Sequence, residues 1–323
     1  YDLDKCEWGV NRSATVDLHA PSINYTDPTP ENESVQAEDY AYVNVSTSDN
    51  TNNYSTWVDF DRSLIGYWGF EEATGTTVAD LSSYDNDGTL RNGTGICSGP
   101  PCPRWVKGIR GNGLFFDGLG ITNGTGGGDR MRIGDSTLWE LNDSDFSIQF
   151  WVSFKSLSGN QPIIDFNPSG ASSCVLYHHP SIGWVMRHRP SGGSNSNIFN
   201  EGSVSTETDR WYHFAMIRDG ENWTLYRDGN ILVSDNSTLN LLYGGNVNVG
   251  TFVDNEPDTV LNGSIDELMI FNRSVSSEEI ASLYNAHINP YHYNLTDLST
   301  GVHTYKAYTV DMAGNRNTTG QNE

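Results

Sequence analysis

The stretch WYHFAMIRDGENWTLYRDGNIL, residues 211–232, followed by LNGSIDELMIFNRSVSSEEIASLYNA, residues 261–286, decides how this chain folds. In the first piece Trp211, His213, Ala215 and Ile217 recur at period two, the spacing of a strand. Asp219-Gly220 supplies a turn, and Trp223, Leu225 and Tyr226 begin the return. Asp228-Gly229-Asn230 then signals a second turn before Ile231 and Val233. Three strands joined this tightly form a meander, which must bury one face against a second sheet. The second piece reads as a strand from Ser264 to Phe271 and then one short helix. Ser276 and Glu279 are spaced as a capping box, and Ile280, Leu283 and Tyr284 give the helix an apolar stripe.

Three further segments stand upstream: LIGYWGFEEATGTTVADLSSYDNDGTL (64–90), WVKGIRGNGLFFDG (105–118) and FSIQFWVSF (146–154). With the opening stretch they resemble, in family order, the LamG-like jelly rolls of the concanavalin A-like lectin/glucanase superfamily. The resemblance covers residues 64–286. It implies a two-sheet sandwich and no particular activity, because this architecture hosts lectins, adhesive modules, spacers and hydrolases.

Composition agrees with an all-β chain. At 323 residues the length suits about two domains. Glycine, asparagine, serine and threonine are abundant and helix-forming runs are scarce. No apolar run approaches the ~18–20 residues of a membrane span. No signal peptide is recognisable, since Tyr1 begins mid-pattern, as in a mature chain or a piece of one. A net charge of −23 and a pI near 4.5 argue against nucleic acid or an anionic membrane as partner. The scarcity of lysine suits a salt-adapted or cation-rich setting, and equally a plain solvated acidic surface.

Asn-x-Ser/Thr triplets without proline begin at Asn11, Asn24, Asn32, Asn44, Asn53, Asn92, Asn123, Asn142, Asn222, Asn236, Asn262, Asn272, Asn294 and Asn317. That is 14 sites, where the chain's own asparagine, serine and threonine content predicts roughly six by chance. Turn-rich β chains favour these residue types, but composition is already in the estimate. The excess therefore points to an N-glycosylated, extracellular protein at a cell surface, with a residue usage closer to archaeal or eukaryotic than to bacterial chains. Cys97-Ser-Gly-Pro-Pro-Cys102 can close a local disulfide in such a compartment. Cys6 and Cys174 are left to pair with each other, with another subunit, or to stay reduced.

The flanks carry a second pattern. Residues 1–20 contain a strand with Ala14, Val16 and Leu18 on one side, ended by Pro21. Residues 21–63 hold two more candidate strands, around Tyr40–Ser46 and Tyr54–Asp61. The segment NPYHYNLTDLSTGVHTYKAYTVDMAGNRNTTG (289–320) resembles the late strands of Ig-like repeats in bacterial and archaeal surface proteins. Neither flank has enough strands for a sandwich of about seven. Together they nearly do, so the expected plan is an Ig-like β-sandwich made of 21–63 and 289–323, interrupted by the LamG-like jelly roll at 64–288. A strand that such a domain needs last stands instead at the front, in 1–20. The expectation is that Ala14, Val16 and Leu18 fill the open edge of a neighbouring copy beside its 302–311 strand, head to tail.

Two functional classes follow. One is a structural subunit or repeat of a glycosylated filament or surface layer, with copies of itself as partners. The other is an adhesin module that binds glycans through the LamG-like domain. Glucanases of the superfamily use a Glu-x-Asp-x-x-Glu strand. The nearest match here, Ser264-Ile265-Asp266-Glu267-Leu268-Met269, lacks both glutamates, so no enzyme activity is expected. The resemblance also implies a structural Ca²⁺, with Asp80, Asn86, Asp87, Asp266 and Glu71 at the matching positions. Calcium's demand for six to eight oxygens suits such a loop. Candidate sugar contacts are Tyr177, Trp184, Arg187 and Arg189, on two neighbouring strands. His178, His179, His188 and His213 read as exposed strand-end residues or, less simply, as metal ligands.

Overall fold

The computed structural model describes residues 16–50, 54–93, 95–98, 102–119, 128–166, 173–189, 194–202, 206–239, 245–252, 260–284 and 291–320. Two large sheets face each other. The first has nine strands. In spatial order they run Ser196–Asn200, Gly183–Arg189, Ser173–His179, Gln161–Phe166, Val247–Val249, Asp129–Ile133, Gly88–Asn92 and Thr77–Val78, with Gly95–Ile96 beside Gly88–Asn92. The second has eight strands: Asn230–Asn236, Asn222–Arg227, Trp211–Asp219, Phe146–Phe154, Asn262–Phe271, Asn112–Asp117 and Arg104–Lys107, with Leu64–Trp68 against Asn262–Phe271. This is the expected all-β jelly roll, and the meander of residues 211–236 forms its edge.

Side chains alternate across each strand, so every second residue enters the space between the sheets. Phe146, Ile148, Phe150, Val152 and Phe154 do so from the second sheet. Leu176, Trp184, Met186, Val247 and Val249 do so from the first. His178, His188 and His213 are buried too, not exposed at strand ends; Phe154 and Trp184 pack on His178, and Trp151 on His213. Burial pushes His213 down to about 3 and His178 down to about 4, so both stay neutral. Cys174 is unpaired inside the same core, where burial pushes its thiol up, and Cys6 lies outside the described residues.

The chain's two ends meet on the far side of the second sheet. Strands Ser22–Thr26, Ala41–Ser48 and Tyr291–Leu295 make one three-stranded sheet; Arg316–Thr318, Tyr305–Asp311 and Tyr54–Phe60 make another. Ile23, Val43, Val45, Val58, Leu295 and Ala307 form the core between them. The open edge expected along 302–311 is not there. Tyr305–Asp311 is paired on one side with Tyr54–Phe60 and on the other with Arg316–Thr318, and Thr319 N donates to Ala307 O. The sequence reading missed Arg316–Thr318 because three residues are too short a run to show a period.

A single buried face was expected for the Trp211–Asp219 strand, yet both its faces are covered. Tyr212, Phe214 and Met216 enter the jelly-roll core, whereas Ala215 and Ile217 face the opposite way. There they join Leu64, Tyr67, Met269 and Phe271 under Trp57, Tyr308 and Val310 of the small sandwich. The helix Ser277–Tyr284 fills the wedge with Ile280 and Leu283. Its capping box forms as read: Glu279 N donates to Ser276 Oγ at 3.2 Å and Ser276 N to Glu279 Oε2 at 2.9 Å. Ser282 Oγ donates to Thr56 O at 2.7 Å, so the helix also covers the outer edge of strand Tyr54–Phe60.

Trp57 stacks on Tyr308 at 5.6 Å and meets Tyr67 edge-on at 5.4 Å, which makes it the centre of this contact. Trp57→Ala should cost about 3–5 kcal/mol, the usual range for emptying a buried aromatic site. Urea unfolding followed by circular dichroism should give one transition for the natural chain and two for the variant, as the small sandwich detaches first.

Candidate functional site

The residues expected to bind calcium occupy two arrangements of a different kind. Asp80 organises a turn: Oδ1 accepts from Tyr67 N at 2.8 Å and Ser82 N at 2.9 Å, and Oδ2 from Ser82 Oγ at 2.7 Å and Asn86 N at 2.8 Å. Asp87 Oδ1 accepts from Asp80 N at 2.9 Å, and Asn86 Nδ2 donates to Ile65 O at 3.0 Å. Glu71 and Asp266 instead belong to a buried junction with Glu267. Glu71 Oε2 accepts from Asn112 N at 3.0 Å, and Asp266 Oδ2 from Arg110 N at 3.0 Å. Arg316, from the C-terminal flank, donates to Glu267 Oε1 at 2.9 Å, Tyr67 Oη at 2.9 Å and Gly69 O at 3.0 Å, and lies 3.7 Å from Glu71. Tyr67 Oη donates in turn to Glu267 Oε2 at 2.8 Å. The five residues therefore fall into two groups, Asp80, Asn86 and Asp87 in one turn and Glu71 and Asp266 at the junction that receives Arg316. Among the described residues, the acidic groups whose ligand atoms approach within 4.8 Å of one another are Asp17, Asp49 and Asp311.

The outward face of the nine-stranded sheet carries the other candidate site. Strand register aligns Thr89, Arg132, Asn248, Asp165, Val175, Arg187 and Asn197 in one lateral row. Alternation turns all of them away from the core, whose residues on these strands are the intervening ones. Beside the row, Arg91 pairs in register with Arg130. Burial lowers Arg130 to about 10, helped by Arg132 and Arg91, so three arginines crowd one end in a chain of net charge −23. At the other end Arg187 lies 5.4 Å from the Tyr177 ring and 5.0 Å from Phe252. Tyr177, Arg187 and Arg189 share this outward face as expected. Trp184 does not: it is fully buried against Phe150, Phe154 and Phe214. One residue of register moves a side chain to the opposite face, and the spacing of Trp184 from Arg187 is odd.

Arg91, Arg130, Arg132, Asp165 and Asn248 went unnoticed in the sequence. They come from four strands scattered between residues 88 and 249, and only the strand order brings them together. Cys97 and Cys102 form the expected disulfide. Of the glycosylation triplets, Asn24, Asn32, Asn222, Asn236, Asn272, Asn294 and Asn317 are exposed, and Asn44, Asn92, Asn142 and Asn262 are half-buried. Asn11, Asn53 and Asn123 lie outside the described residues. So does Ala14 of the expected assembly strand, while Val16 and Leu18 are 78% and 80% exposed on an irregular segment.

Residues 125–281 match the laminin G-type family described as the concanavalin A-like lectin/glucanases superfamily, and they form a jelly-roll domain of that kind. No curated protein matches the sequence. Among solved structures the chain resembles domain 4 of AbnA, a GH43 extracellular arabinanase from Geobacillus stearothermophilus, determined in complex with arabinotriose. That likeness has a TM-score of 0.55 and 16% identity, over 69% of this chain and 98% of the other. The binding domain of botulinum neurotoxin serotype G gives 0.51 and 16%, over 68% of this chain and 50% of the other. The binding domain of Paraclostridial Mosquitocidal Protein 1 gives 0.51 and 16%, over 71% and 53%. This chain therefore spans about half the length of the two toxin domains. No helix among the described residues is long and apolar enough to cross a membrane.

The junction makes stability depend on pH. Burial raises Glu71 to about 7, with Glu267 adding to the effect against the pull of Asn112 and Arg316. A carboxyl raised above its unfolded value stabilises the fold below that value, and its contribution is lost as pH rises through the folded value. Buried His178 and His213 work in the opposite sense, but below the unfolded histidine value of about 6.5. Between about pH 6.5 and 8 the acid dominates, so the melting temperature should fall as pH rises. Scanning calorimetry across that window should show the slope, and Glu71→Gln should flatten it.

Proposed function

We propose that this chain is an extracellular cell-surface module whose jelly roll binds an acidic oligosaccharide on the outward face of the nine-stranded sheet. The observation that carries the reading is the row from Arg132 through Asn248 and Asp165 to Arg187, with arginines at both ends of a strongly acidic molecule. A guanidinium offers a planar fork to a carboxylate or sulfate. Asn248, Asp165, Tyr177 and Phe252 are themselves buried, at 2%, 3%, 5% and 3% exposure, so they back the row, and the half-buried Arg132 and Arg187 make the contacts with a ligand. The likeness to an arabinanase domain solved with arabinotriose supports a sugar as the ligand class. The 14 glycosylation triplets, none of them fully buried where described, support an extracellular setting. The role is binding without hydrolysis: Asp266 and Glu267 are enclosed at the junction and do not line this face. Arg187→Ala and Arg132→Ala should each weaken binding of uronate- or sulfate-bearing oligosaccharides about tenfold, the loss of one charged hydrogen bond. Glycan-array and calorimetric titrations check this, with neutral arabinose oligomers as the comparison. Equal binding by both variants and the natural chain sinks the reading.

A separate observation favours a second reading, a structural subunit of a glycosylated filament or surface layer joined head to tail. In this reading the small sandwich is the Ig-like joint. Val16 and Leu18 are exposed at the end of the small sandwich where strands Ala41–Ser48 and Tyr305–Asp311 finish. At the opposite end, where those strands start, lies a cavity of about 550 Å³ lined by Tyr40, Phe60, Leu298, Val302, His303 and Tyr305. The hollow has a mixed lining that also includes Glu33, Gln36, Glu38 and Asp39, and its apolar part could receive the apolar pair in a heterologous contact, which propagates and does not close. The arm of one copy seats in the hollow of the next, in place of adding to strand 305–311. Val16→Asp combined with Leu18→Asp should leave monomers by light scattering and no fibres by electron microscopy. Fibres of unchanged length from that variant contradict the second reading.

A further inference from the structure

Asp17, Asp49 and Asp311 come from three separate segments. Asp17 precedes strand Ser22–Thr26, Asp49 follows Ala41–Ser48, and Asp311 ends Tyr305–Asp311. Their ligand atoms nevertheless lie within 4.8 Å of one another. Two features set this group apart from an ordinary acidic surface. Asp311 is fully buried. The Asp17 side chain is 6% exposed, and its Oδ2 is buried with no hydrogen-bond donor among the described residues. Its other oxygen, Oδ1, is held by His19 N at 3.1 Å and Asn50 Nδ2 at 3.0 Å. A buried anionic oxygen without a donor is costly, and a second and third carboxylate beside it raise that cost.

We infer that Asp17, Asp49 and Asp311 form a binding site for one Ca²⁺ that fastens the N-terminal arm to the end of the small sandwich. The donor set is all oxygen and rich in carboxylate, which suits a hard cation; irregular loop ligands suit calcium better than magnesium, which requires a near-ideal octahedron. The neighbouring amides are already in place. Asn315 Nδ2 donates to Asp311 Oδ2 at 2.9 Å and to Asp17 O at 3.3 Å, tying the arm to the turn that follows strand Tyr305–Asp311. Asp311 Oδ1 accepts from Ala313 N at 2.8 Å and Asn315 N at 2.9 Å, which fixes that carboxylate before any ion arrives. With Asp17 turned inward to the cation, Val16 and Leu18 on either side of it face outward. Calcium therefore sets the direction in which the arm presents its apolar residues. Its three ligands are separate from the sugar-binding face; the turn that follows Asp311 leads on to Arg316 of the Glu71 junction, which contributes no ligand to it.

The test uses the full chain stripped with chelator and titrated with Ca²⁺ or Mg²⁺ by isothermal calorimetry. Melting temperature and chymotryptic cleavage after Leu18 are followed in parallel. The expected result is a site that prefers Ca²⁺, a melting temperature that rises with free calcium, and slowed cleavage at Leu18. Asp17→Asn and Asp49→Asn should each cut the calcium affinity at least tenfold and abolish the protection of Leu18. Their melting temperatures in chelator should equal or exceed that of the natural chain, because each removes one charge from a crowded carboxylate group. Glu71→Gln should keep the full calcium response. Calcium affinity unchanged in Asp17→Asn, a response lost in Glu71→Gln but kept in Asp17→Asn, or no binding at millimolar calcium would each overturn the inference.

Discussion

The guanidinium of Arg316 holds the two parts of this architecture in one arrangement. It comes from the last strand of the chain and is bound by Tyr67, Gly69 and Glu267 of the jelly roll. Adhesion between the parts comes from the apolar contact around Trp57, Tyr308, Met269 and Phe271. Such a contact is non-directional, and a buried charge network is not. An arginine withdrawn from water tolerates few positions, since each lost partner leaves an uncompensated charge. The network therefore selects one orientation among those that the apolar surface alone would accept. It also accounts for sequence features far from one another. A Cβ at Gly69 would collide with Arg316, and one at Gly111 or Gly314 with the Glu71 carboxylate. Gly111 and Gly314 also have positive φ, so backbone conformation and space both call for glycine there. Three motifs read separately, YWGFEE, GIRGNG and DMAGNR, meet at this one point.

Local periodicity carried the reading of the fold a long way. The meander, the strand before the helix, the capping box and the short disulfide all depend on residues within about ten positions of each other, where spacing is informative. Failures began where distance in sequence and nearness in space parted. The second buried face of Trp211–Asp219 is invisible in its alternation, because a strand covered on both sides differs from a half-exposed one only in what lies over it. Trp184 was grouped with Arg187 by proximity in sequence, although their odd spacing sends them to opposite faces. Glu71 and Asp266 were recognised as a pair of acids brought together, but their partner Arg316 stands far along the chain. The calcium expectation came from the family resemblance, which says nothing of the flanking sandwich that supplies Arg316. The arginine end of the outer sheet face was missed for the same reason: Arg91 and Arg130 become neighbours only through strand order.

The junction bears on what the module can do. Contacts between domains of one chain are often polar and mobile. Here the contact contains tryptophan, two tyrosines and phenylalanine, and a helix wedge closes it. The candidate sugar-binding face is the outer side of the first layer, and the small sandwich lies beyond the second sheet on the opposite side. The arm and the hollow lie at the two ends of that sandwich, along its strands. A chain of such modules, linked through the sandwich ends, would therefore display each jelly roll sideways with its arginine-rich face pointing out. On the two proposed readings, binding and assembly would occupy separate surfaces.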